Sequence, residues 1–245
     1  MVVGYKAVFK RYELKFLLTK AQKERILAAM ASYMLLDKYG RSTIRNIYFD
    51  TEDHLLIRRS IEKPVYKEKL RLRCYGTDPE NPPVFVEIKK KFQSVVYKRR
   101  MVSDEDTAMH WLTEAHSTHD GSQIAKEIAY FLTFYKPLRP TVFLSYEREA
   151  YYATDGSDFR VTFDDNILCR QAELTFRSQI YGTPILPEDT VLMEIKCSGG
   201  IPLWMTKALT QEKLYKSSYS KYGTAYRQII YPQLYPQKRE VITYD

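Results

Sequence analysis

The sequence predicts an α+β fold: a closed antiparallel β-barrel of about eight strands with helices packed outside, residues 1–245 forming a single domain. Three observations predict it. Glu, an apolar residue and Lys recur in that order inside strand-like runs, at Glu13-Leu14-Lys15, Glu87-Ile88-Lys89 and Glu194-Ile195-Lys196. Most strand-like runs are charged on one face and apolar on the other, and the turns between them are short. Successive strand side chains point to opposite faces, so each Glu shares a face with its Lys and the residue between them faces away. A barrel satisfies both faces if helices cover the apolar outside and the charged faces line the lumen. Buried charge is costly unless compensated, so a charged lumen implies water, metal or an anionic ligand within.

The elements follow in order. Val8 to Leu18 reads as a strand with Tyr12, Leu14, Phe16 and Leu18 on one face and Arg11, Glu13 and Lys15 on the other. Thr19 and Gln22 spell a capping box, so a helix follows from Ala21 to Tyr33 with Ile26, Leu27 and Met30 at helical spacing. Ser42 to Asp50 returns to strand. From Tyr66 to Tyr75 the alternation puts Lys67, Lys69, Arg71 and Arg73 on one face, where like charges repel unless an anion neutralises them. After a turn over Gly76 to Pro83, Val84 to Lys91 and Ser94 to Ser103 read as paired strands. The first aligns Glu87 with Lys89 and the second aligns Lys98 with Arg100.

Ser103 is expected to cap a helix whose first turn carries Asp104, Glu105 and Asp106, where the helix dipole favours acids. A second helix spans Ser122 to Tyr135. Strands resume at Thr141 to Tyr151, at Phe159 to Asn166 with Arg160, Thr162 and Asp164 on one face, and at Thr190 to Cys197. Pro202 starts a helix to about Lys216, and a tyrosine-rich segment packs over the barrel.

Composition narrows the function. Hydrophobic residues make up 44% of the chain, enough for a sizeable core, while 38 Lys and Arg against 30 Asp and Glu give a formal charge of +8 and a pI near 9.2. That balance favours a polyanionic partner. Carboxylates that hold a divalent cation beside lysines that hold phosphate oxygens are the chemistry of a metal-bound polyphosphate. Cys74, Cys169 and Cys197 are far apart and odd in number, which fits a reducing cytoplasmic setting better than disulfides or a zinc site. No leader-like apolar run opens the chain and no stretch reaches the ~18 apolar residues that span a bilayer. The histidines His110, His116 and His119 read as loop residues, since no third ligand stands near them on a regular element. The tyrosines read as packing residues, so no nucleic-acid partner is expected. P-loop, GxGxxG and GxSxG motifs are absent from the sequence.

Taken in order, several short motifs carry a resemblance. They are Arg11-Tyr-Glu-Leu-Lys15, Tyr48-Phe-Asp-Thr51, Lys69-Leu-Arg-Leu-Arg-Cys-Tyr-Gly76, Val86-Glu-Ile-Lys89 and Tyr97-Lys-Arg-Arg100. Tyr146-Glu-Arg-Glu-Ala150, Arg160-Val-Thr-Phe-Asp164, Met193-Glu-Ile-Lys196 and Ser220-Lys-Tyr222 complete the set. From Phe9 to Tyr222 this set resembles the VTC domain of the triphosphate tunnel metalloenzymes, the superfamily that includes the CYTH proteins. The resemblance implies a tunnel-shaped barrel that binds nucleoside triphosphate through basic side chains, with a divalent metal, Mn2+ or Mg2+, on glutamate.

The activity it implies is an ATP-dependent polyphosphate polymerase, which moves the γ-phosphate of ATP onto a growing chain and releases ADP. Carried over by position, Lys15, Arg71, Arg73, Arg148 and Lys196 are the catalytic cations. Lys89, Lys98, Arg100, Arg160, Lys221 and Arg11 bind substrate, and Glu194, with Glu13 and Glu87, holds the metal. The implied partners are ATP and polyphosphate, together with a membrane-embedded protein of the kind that eukaryotic VTC domains work beside. The expected location is therefore cytoplasmic, either free or held at a membrane by that partner.

One departure bears on the reaction. Hydrolytic members begin with Glu-x-Glu-x-Lys, whereas Arg11 occupies the first acidic position here. The change removes a metal ligand or water-activating base and adds a cation, which favours transfer to phosphate over hydrolysis. A triphosphatase acting on inorganic or nucleoside triphosphate and a non-catalytic polyphosphate-binding module are the alternatives.

Overall fold

A computed structural model describes residues 8–76, 83–93, 95–114 and 121–236, with side chains from residue 12 onward. The chain begins with strand β1 (Val8–Thr19), whose last residue caps helix α1 (Lys20–Met30). The Thr19 hydroxyl accepts from the Gln22 amide and the Gln22 side chain accepts from the Thr19 amide, the capping box expected from sequence. The helix ends at Met30 and not at Tyr33, because the chain turns there into the short strand β2 (Met34–Leu36).

Strand β3 (Ser42–Asp50) leads to α2 (Leu55–Ile61), a helix not foreseen in the sequence. Its start is held by the buried Asp50 carboxylate, which accepts from the amides of Leu56 and Ile57. Strands β4 (Tyr66–Tyr75), β5 (Val84–Phe92) and β6 (Val95–Ser103) form a meander. Helix α3 (Glu105–Thr113) is capped by Asp104 and not by Ser103, since Ser103 still pairs with Val84 in the ladder. Ser122 caps α4 (Gln123–Phe134). Two long strands follow, β7 (Arg139–Ala153) and β8 (Arg160–Arg170), then the two-residue β9 (Thr183–Pro184) and β10 (Thr190–Cys197).

Helix α5 (Leu203–Gln211) stops before Lys216 because the chain turns back to set Ser217 against Lys15 of β1. Helix α6 (Lys221–Ala225), a π-helical turn at Tyr226–Ile230 and α7 (Tyr231–Leu234) end the described chain.

The described strands form one 10-stranded antiparallel sheet. The long strands run β3-β4-β5-β6-β1-β10-β8-β7, and β7 pairs with β8 on one side and with β3 on the other. The strand count exceeds the expected one through the short β2 and β9, which add to β7 and β8.

Alternation decides where each face goes. Leu70, Leu72, Val86 and Ile88 of β4 and β5 pack with Trp111 and Leu112 of α3 and Ile128 and Phe131 of α4. Phe16, Leu18, Met193 and Ile195 of β1 and β10 pack with Ile26 and Met30 of α1 and Met205 of α5. Fully burying each such side chain contributes ~1.5–3 kcal/mol.

A third cluster joins Ile44, Leu144 and Leu192 to Tyr222, Ala225, Tyr226 and Ile230 of the C-terminal segment. Tyr222 is anchored there, its hydroxyl donating to Asp50 at 2.9 Å. The residues between the apolar ones are thereby turned to the opposite side, where the charges collect. Among the described residues no helix is long and apolar enough to cross a membrane.

Candidate functional site

The charged faces border a cavity of about 1400 Å³. Its lining includes Lys15, Lys89, Lys98 and Lys196, Arg71, Arg73, Arg100, Arg148 and Arg160, Glu13, Glu194 and Lys221, all expected from sequence. Glu87 is fully buried among them. The Arg11 backbone pairs with Val96, but its side chain lies outside the described residues, as do His116 and His119. His110 lies on α3, exposed beside Glu114.

The strand register explains the repeated Glu-x-Lys motif. In the antiparallel β1–β10 pair, Glu13 lies opposite Lys196 and Lys15 lies opposite Glu194, so two copies of the motif neutralise each other. Glu194 lies 3.2 Å from Lys15, 2.8 Å from Lys196, 3.6 Å from Lys221 and 3.7 Å from Arg148. Burial works against its charge, but Lys196, Lys15, Lys221 and Arg148 outweigh burial and hold the carboxyl well below the usual range. Lys196 also donates to the Thr162 hydroxyl, and burial lowers its ammonium to about 8 although Glu194 opposes the shift.

Asp164 of β8, directly opposite Arg148 in the ladder, was not singled out from the sequence. Arg148 donates to both its oxygens, at 2.6 and 2.7 Å, and Lys221 donates to the second of them. The alternation of Arg160, Thr162 and Asp164 had put this carboxylate on the charged face. Only the ladder register reveals its partner.

A second cluster surrounds Glu87. Arg71 donates through Nε and Nη2 to Oε2 at 2.9 and 2.8 Å, and Lys98 donates to Oε1 at 2.9 Å. Arg73 stands 3.8 Å away, donating instead to Asn46 and to the Tyr146 hydroxyl. Burial disfavours the Glu87 charge, yet Arg73, Arg71 and Lys98 keep the carboxyl well below its ordinary range. Glu13, 2.7 Å from Lys89, is similarly held at about 2: burial raises it, Lys89 lowers it, and nearby Glu194 raises it. The expected metal ligands therefore divide between two clusters. Among the described residues no three of His, Cys, Asp or Glu are grouped so as to hold a metal as they stand.

Between the clusters lies a stretch of like charge. Lys69 lies opposite Lys89 in the β4–β5 ladder and Lys67 lies opposite Lys91. Lys69 donates to the Ser220 hydroxyl at 3.1 Å, and no carboxylate pairs with it among the described residues. Burial first, then Lys15, Lys89, Lys67 and Arg71, push its ammonium well below the ordinary value. Lys67 and Lys91 are lowered too, by burial and by each other's neighbourhood of lysines. The sequence marked Lys67 and Lys69 as crowded cations. It could not show that their ladder partners are cations as well.

The large antiparallel sheet bordering a cation-lined cavity has counterparts among solved structures. The fold is similar to that of a candidate adenylate cyclase from Bacillus halodurans, with a TM-score of 0.54 and 13% identity over 88% of this chain and 96% of that one. It is also similar to a candidate adenylyl cyclase from Hippeastrum that has a dominant triphosphatase activity, with a TM-score of 0.52 and 14% identity over 89% and 95% of the two chains. The family model of the VTC domain matches residues 10–230, and the chain belongs to that family. None of the curated proteins compared with it matches this sequence.

Proposed function

We propose that this chain is an ATP-dependent polyphosphate polymerase that works inside a tunnel. The observation that carries the proposal is the like-charge ladder: Lys69 opposite Lys89 and Lys67 opposite Lys91. Facing cations are destabilising on their own and become favourable around a linear polyanion. The pairing of β7 with strands on both sides supports reading the sheet as a closed barrel with this ladder in its lumen.

Phosphoryl transfer asks mainly for positioning and charge neutralisation. An oxygen of the terminal phosphate of the acceptor chain attacks the γ-phosphorus of ATP, and the bond from that phosphorus to the β,γ-bridging oxygen breaks as ADP leaves. Lys15, Lys196, Arg71, Arg73 and Arg148 orient and neutralise the transferred group, while Lys69, Lys89, Lys98, Arg100, Arg160 and Lys221 hold the flanking phosphates.

The acceptor is already ionised, so no strong base is needed. The carboxylates support this choice over hydrolysis: a general base works best with a pKa near the working pH, and Glu13 lies at about 2 with Glu87 and Glu194 well below the usual range.

A divalent metal is implied by the family. Glu194 and Glu13 face the same cavity from the paired strands β10 and β1, as hard oxygen donors that fit Mg2+ or Mn2+ with phosphate oxygens and water completing its shell. When bound, such an ion supplies neutralisation of the phosphate charge. The Hippeastrum protein's triphosphatase activity favours a second reading, hydrolysis of triphosphate in the same lumen. Incubation with ATP, Mn2+ and priming polyphosphate separates the two. Polymerase activity gives ADP and lengthened polyphosphate, and the hydrolytic reading gives ADP and orthophosphate alone.

A further inference from the structure

The two ends of the cavity differ in a way that bears on substrate choice. Toward the ends of β4 and β6 its lining carries Tyr75, Phe85 and Arg100, whereas the opposite end carries Lys67, Lys91 and Lys216. We propose that the Tyr75 ring is a stacking platform for the nucleobase and makes the site select a nucleoside triphosphate over inorganic triphosphate. This deepens the function proposed above and rests on it.

Tyr75 belongs to the lumen-facing series Lys67, Lys69, Arg71 and Arg73, one same-face step beyond Arg73. Such steps are ~6.8 Å, so Tyr75 stands ~13 Å along the strand from Arg71, room for a ribose and the inner phosphates between ring and cations. The ring is 41% exposed although it lines the cavity. It is also braced, with the Phe85 ring meeting it edge-on at 5.5 Å and 81° and Phe85 itself only 2% exposed. The Arg73 guanidinium lies 5.8 Å from the Tyr75 ring centroid, linking platform to phosphate site.

Among the described residues, a Cβ built on the next residue, Gly76, would meet nothing within 4 Å. Tyr39, another exposed ring in the lining, has the Lys38 ammonium 5.0 Å from its centroid. A fixed, half-exposed aromatic face beside an arginine suits a purine, whose π-face stacks and whose phosphates reach the cations beyond.

The test is calorimetric titration of ATP and of inorganic triphosphate, each with Mg2+, into the wild type, Tyr75→Phe, Tyr75→Leu and Tyr75→Ala. Losing base–aromatic stacking should weaken ATP at least about fivefold in the Ala and Leu variants, while Phe stays within about twofold of wild type. Inorganic triphosphate should bind all four proteins alike. The Leu variant fills the volume without a π-face, so it carries the test if Ala fails to fold. Equal weakening of both ligands, or unchanged ATP affinity in Leu and Ala, overturns the platform. These outcomes are independent of the product formed: ATP binding that depends on Tyr75 in a protein releasing only orthophosphate would keep the platform and reject the polymerase.

Discussion

The β1–β10 and β4–β5 strand pairs each carry the Glu-x-Lys motif, and they dispose of its charge in opposite ways. In β1–β10 each glutamate meets a lysine of the partner strand, Glu13 with Lys196 and Glu194 with Lys15. In β4–β5 Glu87 meets Arg71 on the cavity side and Glu68 meets Lys90 on the other face, while on the cavity side Lys69 faces Lys89 and Lys67 faces Lys91. In the first pair the charges are compensated within the protein, and Asp164, Arg148 and Lys221 extend that network. In the second, Lys89 finds its carboxylate on β1, Glu13 at 2.7 Å, whereas among the described residues no carboxylate pairs with Lys69. Similar local motifs therefore end in compensated charge in one place and in facing cations in the other, decided by what the neighbouring strand presents.

Substitutions can break this contrast, and the largest effect is expected in the compensated network. Asp164→Asn leaves the buried Arg148 and Lys221 with only the more distant Glu194, at 3.7 and 3.6 Å. Breaking a buried pair in this way should cost ~3–5 kcal/mol of stability, readable by urea denaturation. Lys69→Met should do the reverse. Stability should hold or rise by up to ~1 kcal/mol as facing cations are relieved, while affinity for inorganic triphosphate falls by ~1.5–3 kcal/mol. A Lys69→Met protein that is destabilised yet binds triphosphate normally would place Lys69 with the compensated network.

Both expected cations and missed ones were within reach of the sequence to different degrees. Alternation alone located β3, β4 and β10 at their observed bounds and set the charged faces of Lys15, Arg71, Lys98 and Lys196, which line the cavity. Arg148 follows from its phase with Tyr146 and Lys221 from resemblance alone, and the pairing of their shared carboxylate, Asp164, needs the register of β7 against β8. Helix α2 escaped notice because its start is capped by the Asp50 side chain from the preceding strand and its N-cap residue, His54, is left-handed with φ 57°. The Tyr222–Asp50 hydrogen bond spans 172 residues of chain, a separation that no local pattern encodes. The tyrosine-rich segment likewise divides only in three dimensions, into Tyr222 at 2% exposure and Tyr215 at 81%.

Smaller effects sharpen the same contrast. Burial lowers Lys98 and Lys196 from 10.5 to about 8, against Glu87 and Glu194 respectively. Between about pH 8 and 10.5 the unfolded chain binds more protons than the folded one at these sites, so their contribution to stability rises with pH across that window. Triphosphate binding should fall over the same range as the ammonium groups discharge. Denaturation and binding measured side by side at pH 7.5 and 9.5 should therefore move in opposite directions. The smallest effect belongs to the rim: Arg160 is paired at 3.1 Å with Asp37 but its side chain is 45% exposed. Arg160→Ala should change stability by less than ~1 kcal/mol.

The central claim is that the lysine ladder is completed by an oligophosphate. Its most direct test is the proton count on binding, obtained by titrating inorganic triphosphate at pH 8.5 in two buffers of different ionisation enthalpy. Any proton that triphosphate itself exchanges is common to wild type and Lys69→Met, so the difference between the two reports on the ladder. Lys98 and Lys196, lowered by burial to about 8, are largely discharged at that pH and should gain protons as the anion arrives, and Lys69, held well below its ordinary value by burial and by Lys15, Lys89, Lys67 and Arg71, should add to them. The account predicts net proton uptake that shrinks in Lys69→Met, and binding with no proton uptake would contradict it.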